Sequence, residues 1–88
     1  MATFNLYIGA NNITGFLETE RITNLVSQRH QGFTILDSDG YWQGHSEPSC
    51  VVVIADDADK VRETAHALKV FLKQDAIGIQ RVPDIEFI

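Results

Sequence analysis

The sequence predicts an α+β fold in which two helices cover one face of an antiparallel β-sheet. Three observations indicate this fold class. The hydrophobic spacing changes between a period of two and one of about 3.6, the segments follow the order β-α-β-β-α-β, and the chain has only 88 residues. A chain of that length forms one domain with a small core. We therefore predict a single domain over residues 1–88, and its 44% hydrophobic content is typical of a globular protein.

The first strand and the first helix follow from a change of hydrophobic period. Apolar side chains alternate over residues 3–8, which is the pattern of a strand. Two glycines and two asparagines in residues 9–15 indicate a loop. Apolar residues then recur at helical spacing over residues 18–30, and Gly32 stands where a helix commonly ends.

The middle of the chain predicts two more strands. Residues 33–36 begin the second strand, and residues 37–40 resemble a turn, although the two aromatic residues that follow could prolong the strand. Residues 44–49 are predicted as a loop, because Pro48 cannot donate a hydrogen bond to a strand ladder. Residues 50–55 are apolar at every position and rich in valine, which predicts a strand buried on both faces.

The second helix and the last strands complete the pattern. An aspartate at position 56 or 57 can cap a helix that extends to about residue 74, and residues 76–82 read as a strand. Pro83 predicts a turn, after which residues 85–88 can pair back as a short final strand. The order of elements is the split βαβ arrangement of ferredoxin-like folds, in which both helices lie on one face of the sheet.

The strand at residues 50–55, which is apolar on both faces, predicts self-association. In a single copy of this fold, one sheet face lacks helices, so apolar side chains on it would form an exposed patch. Val51, Val53 and Ile88 are the candidate interface residues, and we predict a homo-oligomer, either a dimer or a trimer. The alternative is that the C-terminal hairpin or the segment around Trp42 folds over this face.

Residues 40–47 form the most conspicuous candidate binding loop. They contain the only Trp, one of two Tyr, one of three His and two Gly. Aromatic rings offer stacking area, and glycines allow a ligand close to the backbone. An anionic ligand would also need cations, for which two arginines are candidates. The predicted ligand-binding residues are Tyr41, Trp42, Gln43, His45, Arg29 and Arg81. The alternative is that Trp42 caps the core and His45 is only solvated.

Charge and cysteine content exclude several classes. The net charge of −5 argues against binding of nucleic acid, which requires clustered Lys and Arg. A single cysteine excludes an internal disulfide and indicates a reducing compartment. No apolar run approaches the roughly 20 residues of a membrane span, and the N-terminal residues do not resemble a signal peptide. We therefore predict a cytoplasmic protein without membrane contact.

Motifs for catalysis or metal binding are not found. The three histidines and Cys50 lack the spacing of a zinc site. Asp37, Asp39 and Glu47 could serve acid–base chemistry only if the fold brought them together, and no nucleophile motif such as G-x-S-x-G occurs. We therefore predict no metal, no cofactor and no enzymatic activity.

Three short segments carry a family resemblance. They are Gly-Phe-Thr-Ile at 32–35, Gly-Tyr-Trp-Gln-Gly-His-Ser-Glu at 40–47, and Val-Val-Val-Ile-Ala-Asp-Asp at 51–57 before a helix. Over residues 32–66 the chain resembles the middle of PII-like signal-transduction proteins. That resemblance implies a ferredoxin-like trimer that binds adenine nucleotides or other small anions between subunits, with a loop that contacts partner proteins. The chain is also similar to short proteins of phages and bacteria.

Two functions follow from these observations. The first is a non-enzymatic oligomeric module that captures or senses a small anionic or nucleotide-like ligand at clefts between subunits. The alternative is an acidic protein-interaction module or inhibitor, such as a phage accessory protein, that occludes a partner protein, because charge −5 on a small domain steers it toward basic surfaces.

Overall fold

The computed structural model describes all 88 residues and confirms the predicted α+β fold. Its four strands form one antiparallel sheet in the order β2-β3-β1-β4, which is the ferredoxin-like order. No helix is both long and apolar enough to cross a membrane. The elements are β1 (Ala2–Gly9), α1 (Thr19–Ser27), β2 (Phe33–Trp42), β3 (His45–Asp56), α2 (Ala58–Phe71) and β4 (Gly78–Val82).

The core lies between the sheet and the two helices. Alternate residues of β1 and β3 point at the helices and face each other in register, as Leu6 and Val52 do. Both of these side chains are fully buried, and burying one such side chain stabilises the fold by about 1.5–3 kcal/mol. The buried apolar residues are Ala2, Phe4, Leu6, Ile8, Ile22, Val26, Cys50, Val52, Ile54, Val61, Ala65, Leu68 and Leu72.

A buried polar bridge joins α1, β3 and α2. His30, just after α1, has a side chain only 1% exposed. Its Nδ1 lies 2.8 Å from Asp56 Oδ2, and its Nε2 lies 2.7 Å from Thr64 Oγ1. The backbone N–H of Asp57 and the side chain of His30 both bond to Asp56, and they hold the pKa of that carboxyl below its usual range. The bridge therefore fixes the C-terminal end of β3 against both helices.

The loop after β1 is held by two amide side chains. Asn11 Oδ1 accepts hydrogen bonds from the backbone N–H groups of Ile13 and Thr14. Asn11 Nδ2 donates to the carbonyl of Leu72 at the end of α2. Gln74 in turn donates from Nε2 to the carbonyl of Ala10 at 2.6 Å. The end of α2 and the end of β1 are thereby tied together.

Strands β2 and β3 are longer than predicted. The predicted turn at residues 37–40 and the predicted loop at residues 44–49 both belong to a ladder of ten pairs, from Phe33–Ile54 to Trp42–His45. The strands are joined by Gln43 and Gly44, which both have positive φ. A two-residue turn of this kind matches the twist of a hairpin. The predicted binding loop is therefore a β-hairpin, because the long ladder outweighs the turn preference of Asp, Ser and Gly.

The C-terminal residues do not form the short final strand. Pro83 follows β4 directly and has no N–H to continue the ladder. The backbone N–H of Ile85 instead donates to Thr3 Oγ1 at 3.2 Å. Ile85 and Phe87 then line a cavity of about 330 Å³ on the face of the sheet that lacks helices, next to Val53. We call this face the open face.

Candidate functional site

The β2–β3 hairpin extends beyond the rest of the sheet. The last pair between β1 and β3 is Gly9–Ser49, so residues 39–48 have no neighbour on the β1 side. Four paired residues at about 3.4 Å each project roughly 13 Å from the sheet. We call residues 39–48 the hairpin arm. Pro48 fits here because proline is tolerated where a strand has a partner on one side only.

The two aromatic residues of the arm are free of contact with the core. Tyr41 is 76% exposed and Trp42 is 70% exposed. Because they are successive residues of a strand, they project to opposite faces of the arm, and Trp42 lies on the open face beside its pair partner His45. His45 and Gln43 are exposed as well. The alternative in which Trp42 caps the core therefore does not apply within one chain.

The two candidate arginines lie far from the arm within one chain. Arg81 of β4 pairs with Phe4 of β1, and Phe4 pairs on its other side with Ile54 of β3. Ile54 is nine residues along β3 from His45, and nine residues of strand span about 30 Å. Arg29 precedes His30 at the same distant end of β3. Within one chain, Arg81 and Arg29 therefore lie too far from Trp42 to share a binding site with it.

A groove of about 420 Å³ lies at the base of the arm. Its floor is formed by three small residues, Gly9, Ser49 and Ser38, which lie side by side on neighbouring strands. The two serine hydroxyls form a hydrogen bond of 2.8 Å. The carboxylate of Glu47 lies directly over Gly9. A Cβ added to Gly9 would be only 2.9 Å from Glu47 Oε1. The groove is lined by Tyr7, Ile8, Gly9, Ser38, Asp39, Gly40, Glu47, Ser49, Cys50, Val51, Gln74 and Ala76.

The groove was not predicted from the sequence, although one signal was present. In β2 the open-face positions after Thr34 are Leu36, Ser38, Gly40 and Trp42, so two small residues stand between two large ones. Small side chains on adjacent strands leave a depression when they align. That alignment depends on register, which a single strand does not reveal.

The candidate acid–base residues do not converge. Asp37 and Asp39 point to the helix side of β2, whereas Glu47 points to the open face. Cys50 is buried in the core, and this burial raises the pKa of its thiol to about 11, so the thiol is not an activated nucleophile. No group of three or more His, Cys, Asp or Glu side chains has the arrangement of a metal site.

The candidate interface residues lie on or near the open face. Val51 and Val53 are half-buried there, and Leu36 on the same face is 52% exposed. Ile88 is fully exposed at the end of the chain. The C-terminal segment covers only the end of the open face near Val53, so the rest of the apolar surface stays uncovered in one chain.

Comparison with known proteins gives a fold and no family. No family model matches the sequence, and no curated protein matches it.

Three solved structures illustrate the similarity in fold. A DUF3240 family protein from Shewanella baltica has 16% identity and a TM-score of 0.67, over 97% of this chain and 91% of that one. CutA1 from Oryza sativa has 13% identity and a TM-score of 0.62, over 100% and 84%. A phage SAM lyase in the apo state has 15% identity and a TM-score of 0.59, over 90% and 78%. At these identities the chain is similar to all three in fold alone.

Proposed function

We propose that the protein is a small homo-oligomeric binding module whose sites form around the hairpin arm, between copies. The observation that carries the proposal is the exposure of Tyr41 and Trp42 on an arm that reaches beyond the sheet. These rings contribute nothing to the core of their own chain. Exposed aromatic rings with a polar edge are enriched where proteins bind other molecules.

Self-association is supported by the uncovered surfaces of a single copy. The outer edges of β2 and β4 have no strand partner, and unpaired edges favour pairing with another chain. Val51, Val53 and Leu36 leave apolar surface on the open face, and Ile88 adds more at the C-terminus. A second copy placed against these surfaces would cover them, so we propose a dimer or a trimer.

The proposed ligand is a small anion or a nucleotide-like molecule. Trp42 and Tyr41 would stack on a base, and the anionic part would need an arginine. Arg81 and Arg29 lie about 30 Å or more, along the sheet of one chain, from the tip of the arm that carries Trp42. The cation must therefore come from another copy. A site between copies therefore satisfies both requirements, whereas a site within one chain does not.

The similarities in fold support this proposal at a coarse level. CutA and CutA1 proteins are named for divalent cation tolerance, and the phage protein is named as a SAM lyase. Small-molecule function is thus compatible with the fold. Together with the PII-like segments in residues 32–66, the shared fold supports a distant relationship to PII-like proteins. We propose binding without turnover, because the carboxylates of the arm point to opposite faces.

Mixed variants test whether a site is shared between copies. Binding of ATP, AMP and inorganic phosphate is measured by isothermal titration for the wild type, Trp42→Ala and Arg81→Ala. We expect binding by the wild type and loss in both variants. An equimolar mixture of the two variants, unfolded and refolded together, should regain part of the sites, because some sites then combine an intact Trp42 with an intact Arg81.

Lys60→Ala serves as the matched control, because Lys60 is an exposed cation of α2 outside the proposed site. No binding by the wild type would refute the anionic ligand. Binding that is lost in both variants and not regained in the mixture would place both residues in a site within one chain, contrary to the proposal.

A second function is favoured by the charge of the arm. No Lys or Arg occurs between Arg29 and Lys60, and this stretch contains Asp37, Asp39 and Glu47. An acidic projecting arm suits a protein-interaction module that binds a basic surface.

A further inference from the structure

We infer that the groove at the base of the hairpin arm, together with the ring of Trp42, is a docking site for an extended, arginine- or lysine-bearing segment of a partner protein. The inference rests on the second function proposed above and names the chemistry of the partner. It concerns one chain only and does not require the arginines of another copy.

The acidic side chain of the groove, Glu47, has no basic partner within the chain. The ion pairs of the structure are Arg21–Glu18, His30–Asp56 and Lys60–Asp56, and all of them involve the helices or the distant end of β3. Glu47, which lines the groove, takes part in none of them. A basic side chain that enters the groove therefore finds an available carboxylate.

The ring of Trp42 is likewise available to a cation. The cation–π contacts in the structure involve Arg21 with Phe71 and Arg62 with Phe4, and both lie on the helix side of the sheet. Trp42 lies on the same face as the groove and is 70% exposed. Among aromatic side chains, tryptophan binds lysine and arginine most strongly through its face.

The spacing of these two features matches an extended peptide. Glu47 pairs with Gly40, and Trp42 lies two residues farther along the same strand face. Two residues of strand span about 7 Å, which is also the distance between alternate side chains of an extended peptide. One basic side chain can therefore reach Glu47 while the next on the same face reaches Trp42.

The backbone of the arm offers a place for the main chain of the segment. β1 ends at Gly9, so residues 45–48 of β3 have a free edge beside the groove. An extended segment can add to such an edge by main-chain hydrogen bonds, while pockets for its side chains supply specificity.

The distribution of charge selects a basic partner. Residues 18–30 and 57–75, which contain both helices, hold six acidic and six basic residues and are neutral as a set. All other residues together hold six acidic residues and only Arg81, so the whole net charge of −5 lies on the strands and the C-terminal segment. The field of the molecule therefore steers basic segments toward the sheet and its arm.

Fluorescence of Trp42 tests the inference directly, because it is the only tryptophan and lies at the proposed site. The wild type is titrated with an eight-residue peptide that alternates arginine and serine, and with a matched peptide that alternates glutamate and serine. We expect a saturable change in emission with the basic peptide alone, weakened by added salt. Glu47→Gln should weaken binding about twofold to fivefold, as loss of one exposed ion pair would.

Glu63→Gln is the matched control, because it removes the same charge from the exposed face of α2. Equal weakening by both variants, or no emission change with the basic peptide, would overturn the inference. Asp39→Asn is a second control on the arm, because the Asp39 side chain points to the opposite face, and it should weaken binding less than Glu47→Gln does. Binding of ATP or phosphate without binding of the basic peptide would refute this inference while leaving the oligomeric site in place, and the reverse pattern would refute the anionic ligand alone.

Discussion

Replacing Thr64 by valine is predicted to destabilise the protein through one buried hydrogen bond. Thr64 is fully buried, and its Oγ1 lies 2.7 Å from His30 Nε2 and 3.0 Å from the carbonyl of Lys60. Valine keeps the β-branched shape but leaves the buried His30 nitrogen without a partner. An unpaired buried polar atom costs about 1–3 kcal/mol, which lowers the Tm of a domain of this size by roughly 5–20 °C.

The measurement is urea unfolding followed by circular dichroism at one fixed protein concentration, since association would shift the midpoint. The matched control is Thr23→Val in α1, because Thr23 makes the same type of bond to the carbonyl four residues earlier but is not bonded to a histidine. The control should change the free energy of unfolding by less than about 0.5 kcal/mol. If Thr64→Val differs from it by less than that amount, the bridge through His30 does not hold β3 to the helices.

Three further predictions concern acid stability, thiol reactivity and the hairpin turn. The pKa of the Asp56 carboxyl is lowered on folding. Its contribution to the free energy of unfolding is therefore present above the unfolded pKa of about 3.9 and is lost as the pH falls through the lower folded value. Asp56→Asn should flatten the fall in stability at acid pH, and an unchanged fall would contradict this. Because burial raises the pKa of the Cys50 thiol to about 11, a thiol reagent at pH 8 should label the native protein at least about 100-fold more slowly than the urea-unfolded chain; equal rates would show that the strand opens readily. Gln43 has a φ of 50° before Gly44, so Gln43→Asn should stabilise the hairpin by about 0.5–1 kcal/mol in urea unfolding, whereas the same change at the exposed Gln31 should have no effect.

The order of elements could be predicted because it depends on local periodicity. The change in hydrophobic spacing from a period of two to a helical period marks each element. Residues 50–55 are apolar on both faces, which identifies a central strand. β3 indeed lies between β2 and β1, with valines on both faces. These features need no knowledge of distant contacts.

The length of the hairpin could not be predicted from local preferences. Residues 37–40 and 44–49 contain turn-forming residues, each of which disfavours a strand by less than about 1 kcal/mol. A ladder of ten pairs outweighs them. The pair Gln43-Gly44 between Trp42 and His45 was the one available cue to a two-residue turn.

The buried bridge and the groove depend on residues far apart in sequence. His30 is 26 residues from Asp56 and 34 from Thr64, and a histidine after a helix reads equally well as a solvated end residue. The groove requires Gly9, Ser38 and Ser49 to fall in one row across three strands. Only register decides that, so neither feature follows from composition or spacing.

The mass of the protein in solution tests the central claim most directly, because every shared site requires more than one copy. Light scattering coupled to size-exclusion chromatography is measured over a range of concentrations on the wild type. We predict a mass of two or three times 9.8 kDa that persists on dilution into the micromolar range. A mass of 9.8 kDa at every concentration would contradict the proposal that the binding sites form between copies.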